Sequence, residues 1–341
     1  MRWDMGLDLG TRNVRMALLA DGPILSEPAA LALREGRDQP VSAGEAAWQL
    51  YGRECEGVEV CFPLKDGLLT NNLYAQKLFQ WLFYETEDKR RTRKFRALIS
   101  CAPHSRPVQR EALLQAALDA GAGEAALVRS DAASALGAGL DILRPEASLL
   151  VDLGAGKWTA TLFTRGLIAS EEYLPYGMER IHERVAGILR EQEGFLIGPK
   201  TAEDLTKTLG TALPQSAPDI HMQVAGVSAE KRLPQLIRVR RALVAEACED
   251  VLRELVRMCR KVVSQIPEEL AADLNDAGCV LAGGGAALPG LDKRIGDALG
   301  IPCRVADAPE TCGILGMNRI INQPEPYEGL FLETMVRTVR R

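Results

Sequence analysis

The sequence predicts an α/β protein of two domains, and two observations support this prediction. The chain has 341 residues, whereas one domain commonly takes about 100–200 residues. One short motif also occurs twice at a domain-scale separation. Its first copy, residues 6–19, reads GLDLGTRNVRMALL, and its second copy, residues 150–163, reads LVDLGAGKWTATLF.

Each copy of the motif predicts a β-hairpin with an acidic residue close to its tip. Superposing Asp8 on Asp152 also places Gly10 on Gly154, with apolar residues alternating at the period of a strand afterwards. A tip of this kind offers backbone N–H groups to phosphates and a carboxylate to a hydrated cation. Each copy alone is more typical of an ordinary tight hairpin, because D-x-G is common in turns. Their repetition favours a paired phosphate site.

Composition excludes several classes of protein. Hydrophobic residues make up 47% of the chain and charged residues 26%, as in ordinary globular proteins. The net charge of −5 argues against nucleic acid as a partner. The eight cysteines form no C-x-x-C pair, and no secretory segment is recognisable, so we expect reduced thiols in a cytoplasmic protein. No apolar run approaches the roughly 18 residues of a membrane span, so any membrane contact should be peripheral.

Local patterns predict the following elements in the first half of the chain. Leu73, Leu78, Leu82 and Phe83 are expected on the inner face of a helix over about 70–84. Small residues over 131–140 predict a closely packed helix. The other elements are strands within 5–33, a helix over 43–52, a strand over 97–101, a helix over 107–120 and a strand over 125–128.

The second half continues from the repeated hairpin. The patterns predict helices over about 179–192, 200–210 and 239–265, with strands near 219–238. Residues 278–291, GCVLAGGGAALPGL, predict a buried strand, a triple-glycine turn and the start of a helix. That order suits a phosphate or a nucleotide edge, although a flexible turn explains it equally well. Lys157 belongs to no Walker A motif, because Trp158 stands where Ser or Thr is required.

With these motifs the chain resembles the actin-like ATPases and, among them, the MreB family of bacterial shape-determining filament proteins. Sugar kinases and heat-shock chaperones of the same superfamily share the phosphate hairpins but lack P-x-K-D-G and P-E-L-A-A-D. The resemblance rests on GLDLGTRN (6–13), PLKDG (63–67), ALGAGL (135–140), VDLGAG (151–156), LIGPKTAE (196–203), PEELAADL (267–274) and LAGGGAALPGLDK (281–293).

The resemblance implies an actin-like fold of two domains, each a mixed β-sheet flanked by helices, with a nucleotide cleft between them. Domain I would comprise 1–143 and 313–341, with a small subdomain at about 29–62. Domain II would be 144–312, with a small subdomain at about 179–243. The implied cofactors are ATP or ADP and Mg²⁺. The implied partners are other copies of the chain, anionic lipids on the inner membrane surface and membrane proteins of the elongation machinery.

The implied function is a cytoskeletal filament on the inner face of the cell membrane that contributes to cell shape and cell-wall synthesis. Asp8 matches the acid that orients hydrated Mg²⁺, and Glu203 matches the ribose-binding carboxylate. The other residues implied to bind the nucleotide are Thr11, Arg12, Asn13, Asp152, Gly154, Ala155, Gly156, Lys157, Gly177, Thr206, Lys207, Gly283, Gly284, Gly285 and Ala286.

The chain departs from the family around the reacting phosphate. The family reads Glu-Glu-Pro where this chain has Arg129, Ser130 and Asp131, so Ser130 replaces the glutamate that positions the attacking water. Lys157, Trp158 and Thr159 replace Thr-Thr-Glu, and Tyr176, Gly177 and Met178 replace Gly-Gly-Asp. Thr206 replaces a lysine, with Lys207 one residue later.

We therefore expect nucleotide binding with weak hydrolysis, because positioning the nucleophile is central to phosphoryl transfer. One alternative is an active ATPase that uses Asp131 as its carboxylate. Another is a sugar kinase or a chaperone-like ATPase.

Two segments are candidates for membrane contact. The loop 85–96 aligns with the membrane loop of the family, and each lysine or arginine near an anionic leaflet contributes about 1 kcal/mol. The tail 330–341 has mixed apolar and basic faces, which suit an interfacial helix. The alternative is a solvated loop with the tail packed on the first domain. The loop residues concerned are Lys89, Arg90, Arg91, Arg93, Lys94, Phe95 and Arg96.

Overall fold

The computed structural model describes residues 3–36, 39–85 and 95–336, which form an α/β structure as predicted. The strands, numbered along the chain, are β1 (Met5–Leu9), β2 (Asn13–Leu18), β3 (Gly22–Pro28), β4 (Leu31–Arg34), β5 (Ser42–Ala43), β6 (Val58–Cys61), β7 (Leu64–Lys65), β8 (Leu68–Leu69), β9 (Arg96–Cys101), β10 (Glu124–Arg129), β11 (Ser148–Leu153), β12 (Trp158–Thr164), β13 (Leu167–Leu174), β14 (Phe195–Leu196), β15 (His221–Ser228), β16 (Pro234–Arg240), β17 (Cys279–Ala282), β18 (Cys303–Val305) and β19 (Phe331–Val336).

Helices and short 3₁₀ turns lie in about half of the connections between consecutive strands. Within the described ranges, none of the helices combines the length and the apolar character that crossing a bilayer requires. The helices are α1 (Gly44–Leu50), α2 (Asn72–Glu85), α3 (Pro107–Asp119), α4 (Ser130–Gly137), α5 (Met178–Glu193), α6 (Pro199–Leu209), α7 (Arg241–Ser264), α8 (Glu268–Ala277), α9 (Leu291–Leu299) and α10 (Cys312–Asn322).

The two large sheets share one strand order. The first sheet runs β3-β2-β1-β9-β10, with β19 added at the edge beyond β10. The second sheet runs β13-β12-β11-β17-β18, so three consecutive strands are again followed by two later ones. In both sheets the central pairs, β1 with β9 and β11 with β17, are parallel. The repeated sequence motif therefore marks a repeated sheet, with Asp8 and Asp152 on corresponding strands.

The chain forms two compact units. Unit 1 consists of Met1–Ser148, Phe163–Ile168 and Ala306–Arg341, and unit 2 consists of Leu149–Leu162 and Ala169–Val305. The predicted boundaries fell after residues 143 and 312. The three-stranded sheet β5-β4-β6 lies within the range predicted for the first small subdomain, and the sheet β14-β15-β16 lies within the range predicted for the second.

In unit 1 the core lies on the large sheet, beneath α2 and α3. Leu78, Leu82 and Phe83 of α2 are buried as predicted, but Leu73 is 52% exposed. The assignment of Leu73 to the inner face was wrong because this residue lies in the first helical turn, where the Asn71 side chain accepts a hydrogen bond from its backbone N–H at 2.9 Å. Phe79, which is fully buried, takes its place in the core.

The tail is a strand where an interfacial helix was a candidate. Residues Phe331–Val336 form β19, which pairs antiparallel with β10, while Leu332 and Met335 pack against the core of unit 1. The alternative of a tail packed on the first domain is thus correct up to residue 336. Alternating side chains along this segment fit a half-buried edge strand better than a helix. Residues 337–341 lie outside the described residues.

Helices α4 and α10 of unit 1 pack backbone against backbone. A Cβ atom built on Gly137 would lie 1.8 Å from the carbonyl oxygen of Cys312, and one built on Gly316 would lie 1.8 Å from that of Ala133. No side chain larger than hydrogen fits at either crossing point. These two contacts explain the close packing that was predicted for the small-residue helix over 131–140.

We expect Gly316→Ala to destabilise the protein by at least about 1–3 kcal/mol, because the added methyl group overlaps a backbone carbonyl. The matched control is Gly187→Ala within α5, where a Cβ atom meets nothing within 4 Å. This control should stabilise the protein by about 0.5–1 kcal/mol, since alanine is the better helix former. Urea unfolding measures both changes. Equal stability of the two variants would show that the α4–α10 crossing tolerates a side chain.

Candidate functional site

The two repeated motifs form turns closed by the same hydrogen bond. In the first turn, the N–H of Gly10 donates to the carbonyl oxygen of Asn13 at 3.0 Å. In the second, the N–H of Gly154 donates to the carbonyl oxygen of Lys157, also at 3.0 Å. Each turn follows the strand that carries an acid, Asp8 on β1 or Asp152 on β11. The correspondence predicted from sequence therefore extends to the backbone hydrogen bonding.

Side chains of the first turn contact the adjacent small elements of unit 1. The hydroxyl oxygen of Thr11 accepts a hydrogen bond from the N–H of Gly67 at 3.0 Å, so the turn is joined to the β7–β8 hairpin. The Arg12 guanidinium carbon lies 3.0 Å from the centre of the Trp48 ring on α1, a cation–π contact. Asn13 begins β2. Thr11 and Arg12 thus bring a hydroxyl and a cation to one turn.

Asp8 is oriented by its own sheet. The Ser100 hydroxyl on β9 donates to Asp8 Oδ1 at 3.0 Å and accepts from the N–H of Leu9 at 3.0 Å. Arg15, opposite Asp8 on β2, lies 3.8 Å from Asp8 Oδ2. The start of α10 approaches so closely that a Cβ atom on Gly313 would lie 2.4 Å from Asp8 Oδ2.

This environment fits a magnesium ion held through water. Within the three described ranges, no group of three or more His, Cys, Asp or Glu side chains that could hold a metal ion is present. Mg²⁺ commonly keeps several waters and takes one or two carboxylates, with substrate phosphates completing its shell. The single, half-buried and oriented carboxylate of Asp8 suits that outer position.

The second turn is fixed by residues that differ from the family pattern. The carbonyl oxygen of Gly154 accepts hydrogen bonds from the Trp158 indole N–H at 3.2 Å and from the Met178 N–H at 3.1 Å. The carbonyl oxygen of Ala155 accepts from the N–H of Glu179 at 2.9 Å. The turn is therefore attached to the start of α5. Gly156 is buried, and Lys157 is half-buried.

Gly177 is required where α5 meets this turn. A Cβ atom there would lie 2.4 Å from the carbonyl oxygen of Gly154. The neighbouring Tyr176 hydroxyl donates a hydrogen bond to Glu254. Burial, followed by that hydrogen bond and the charge of Glu254, raises the pKa of Tyr176 to about 12. Tyr176 therefore stays protonated at neutral pH and serves as a donor.

The glycine-rich segment lies against the end of β11. Gly283 has a φ of +81°, and a Cβ atom there would lie 2.6 Å from Leu153 backbone atoms and 2.7 Å from Asp152 Oδ1. A Cβ atom on Gly285 would lie 2.9 Å from side-chain atoms of Met178. Residues Gly284–Ala287 form a 3₁₀ turn, and α9 begins later, at Leu291. Asp152, Met178 and this loop are thus neighbours in unit 2.

Helix α6 carries the predicted ribose-binding acid. Glu203 accepts a hydrogen bond from Lys207 Nζ at 2.6 Å, and the Glu203 side chain is largely buried. Lys207 is four residues along the helix, so its displacement by one from the family position still leaves it on the face of Glu203. Thr206 is buried, and its hydroxyl donates to the carbonyl oxygen of Ala202 at 2.9 Å. The Thr206 hydroxyl therefore makes its hydrogen bond within α6.

The Arg129–Asp131 pair occupies the start of α4. Arg129 donates from Nε to Asp131 Oδ1 at 3.1 Å and from Nη2 to Oδ2 at 2.6 Å. Asp131 Oδ1 also accepts from the N–H of Ala132 at 2.9 Å, and the Asp131 side chain is 0% exposed. Both carboxylate oxygens therefore have protein donors. Ser130, between the two charged residues, is the first residue of the helix.

The residues predicted to contact a membrane fall into two groups. Lys89, Arg90, Arg91, Arg93 and Lys94 lie outside the described residues. Phe95 packs against the core of unit 1, with its ring 4.7 Å from that of Phe83. The Arg96 N–H donates to Asp4 Oδ2 at 2.8 Å, within the first sheet. Phe95 and Arg96 are thus engaged inside their own unit.

Three residues around the first turn were not identified from the sequence. They are Ser100, Arg15 and Trp48, which contact Asp8 or Arg12. Arg15 could have been predicted from the sequence, because the pairing of the two strands in the first hairpin places it opposite Asp8. Ser100 and Trp48 are distant in sequence from the turn, and no local pattern links them to it.

The fold and the paired turns define an actin-like protein. A family model described as "MreB/Mbl protein" matches residues 2–328. The chain is 30% identical over 336 residues to the cell shape-determining protein MreB of Escherichia coli K12, covering 97% of this chain and 96% of that protein. The chain therefore belongs to the MreB/Mbl family, which removes the sugar-kinase and chaperone alternatives.

Solved structures confirm the fold. MreB5 of Spiroplasma citri bound to AMPPNP superposes with a TM-score of 0.88 at 24% identity, covering 95% of this chain and 97% of that one. The same protein is also known bound to ADP. A MamK double helical filament matches with a TM-score of 0.80 at 18% identity, covering 94% and 98% of the two chains.

Proposed function

We propose that this chain is an actin-like filament protein that binds ATP or ADP with Mg²⁺ and hydrolyses ATP slowly. The observation that carries the proposal is the pair of turns with the same backbone hydrogen bond, each following an acid-bearing strand. Each turn also carries one cation, Arg12 in the first and Lys157 in the second. Backbone N–H groups and cations of this kind suit phosphate oxygens. The binding of AMPPNP and ADP by MreB5 supports the same ligand class.

Weak hydrolysis follows from the Arg129–Asp131 pair. An attacking water must be held by a group with an available acceptor, and positioning of this water contributes much of the rate. Both oxygens of Asp131 accept hydrogen bonds from Arg129 or from the Ala132 N–H, and the fully buried side chain is not exposed to solvent water. Ser130 offers a hydroxyl instead of a carboxylate. This geometry favours slow hydrolysis over the alternative in which Asp131 replaces the family glutamate.

The first prediction for this function is that ATP or ADP with Mg²⁺ raises the melting temperature, because a ligand that binds only the folded state stabilises it. At 100 times the dissociation constant the gain is about 2.7 kcal/mol. Differential scanning fluorimetry measures the shift. An unchanged melting curve at millimolar ATP and ADP would contradict nucleotide binding.

A matched pair of variants assigns the shift to the glycine-rich loop. Gly283→Ala should lose most of it, because the methyl group would overlap Leu153 and Asp152 at a positive φ. Gly187→Ala, on α5 and outside the proposed binding residues, should keep it, since a Cβ atom there meets nothing within 4 Å. Equal shifts in both variants would place the nucleotide elsewhere.

The second prediction is that restoring the family sequence increases hydrolysis. We expect the triple change Arg129→Glu, Ser130→Glu and Asp131→Pro to raise phosphate release about tenfold or more. Changing both partners of the ion pair avoids leaving one buried charge unpaired. Ser130→Ala is the control and should remain as slow as the natural chain. A natural rate equal to that of E. coli MreB, measured side by side, would contradict the proposal and assign the carboxylate role to Asp131.

We also propose that the filaments lie on the inner membrane surface, contribute to cell shape and cell-wall synthesis, and work with membrane proteins of the elongation machinery. Family membership and the MamK filament support self-assembly as part of this proposal. Five clustered cations of the 85–96 loop support attraction to anionic lipid. A filament would multiply such weak contacts into avidity.

The third prediction concerns this loop. Changing Lys89, Arg90, Arg91, Arg93 and Lys94 to Ser should abolish sedimentation with anionic liposomes in the presence of ATP, while pelleting of filaments alone persists. The control changes Lys231 and Arg232, two exposed cations of unit 2, and should sediment as the natural chain does. Binding that is equal on neutral liposomes, or that survives the five substitutions, would reject the loop as the anchor.

A further inference from the structure

Three of the cysteines converge in unit 2 and have no role in the proposed nucleotide site. Cys279 is the first residue of β17, and Cys303 is the first residue of β18. These strands are parallel, and their register places Cys279 directly opposite Cys303. Cys259, on α7, lies near enough to Cys303 for their charges to interact. All three are free thiols.

The separation of Cys279 and Cys303 suits a covalent bond. Neighbouring strands lie about 4.7–4.9 Å apart, and disulfides span Cα–Cα separations of about 4.4–6.8 Å. Residues directly opposite each other in a sheet point to the same face. A hydrogen bond with Cys303 also raises the pKa of Cys279, as expected for two neighbouring thiols. Bond formation therefore needs only local adjustment of two side chains.

Exposure sets the order in which an oxidant meets these thiols. Cys303 is half-buried on the edge strand β18 and lines a surface depression together with Lys293 and Gly296. Cys279 is 1% exposed and Cys259 is fully buried. Burial raises the pKa of Cys259 to about 12, and the hydrogen bond to Cys303, followed by burial, raises the pKa of Cys279. Cys303 is thus the thiol that solvent reaches.

We infer that Cys303 and Cys279 form a peroxide-sensitive pair that closes to an intramolecular disulfide. The Cys303 thiolate attacks the O–O bond of hydrogen peroxide, which gives a sulfenic acid and, after proton transfer, one water. The Cys279 sulfur then attacks the sulfenic sulfur, and its proton leaves with the hydroxyl as a second water. Two thiols and one peroxide thus yield one disulfide and two waters.

A disulfide between Cys279 and Cys303 would restrain β17, the strand that leads to the glycine-rich loop. Strand β17 ends at Ala282, immediately before Gly283, and on its other side it pairs with β11, where Ala282 is opposite Asp152. A disulfide at the start of β17 would join this strand covalently to β18. The modification would therefore lie outside the proposed ligand contacts, on the strand that leads directly to the glycine-rich loop.

Peptide mass spectrometry of the full-length chain tests the inference, in a Cys55→Ser background that removes the exposed thiol. Trypsin separates the three sulfurs, since Cys259, Cys279 and Cys303 fall in peptides 258–260, 262–293 and 295–304. After stoichiometric hydrogen peroxide and alkylation of remaining thiols, we expect a linked species of 262–293 with 295–304. Dithiothreitol should reduce the disulfide and release the two peptides separately.

Two variants complete the test. Cys303→Ser, at a half-buried position, should abolish the linked species and leave Cys279 alkylated only after unfolding. Cys248→Ser, at a buried position elsewhere on α7, should leave the link intact. A link between Cys259 and Cys303, a sulfinic acid on Cys303 without a link, or an unmodified chain would each overturn the inference.

Discussion

Close approach of neighbouring segments, with only hydrogen between them, is the constraint on which the acid-bearing turn of each unit depends. In unit 1, Gly137 and Gly316 let α4 and α10 cross at their main chains, and Gly313 brings the start of α10 against Asp8. In unit 2, Gly177 and Gly283 let the start of α5 and the glycine-rich loop reach the turn and the acid of β11. A side chain at any of these positions would separate segments that are neighbours within their own unit.

The residues expected to depart from the family pattern make structural contacts. Trp158 stands where the family has a threonine, and its indole holds the carbonyl of the second turn. Met178 stands where the family has an aspartate, and its side chain packs beside Gly285. Arg129 donates two hydrogen bonds to the carboxylate of Asp131 at the start of α4. At each of these positions the side chain therefore makes a local contact that supports a turn or the start of a helix.

The sequence predicted the repeated unit well because the information is local. An acid, a glycine turn and alternating apolar residues specify a hairpin within fourteen residues, and both hairpins formed with matching hydrogen bonds. Contacts between distant segments were beyond this approach, as for Ser100 with Asp8 and Trp48 with Arg12. The tail was ambiguous for a related reason: mixed apolar and basic residues fit either a helix or an edge strand, and the partner strand β10 decided between them.

Strand β19 also has a protective role that follows from its position at the end of the first sheet. Without it, β10 would be the edge strand, and its buried run from Ala125 to Val128 would present unpaired backbone groups beside an apolar surface. Such an edge is a template for adding foreign strands. Glu333 of β19, 3.7 Å from Arg110, places charge on the outermost strand instead. Shortening the carboxyl-terminal segment, or fusing a bulky tag close to it, would therefore turn a protected sheet margin into a nucleus for irregular aggregation.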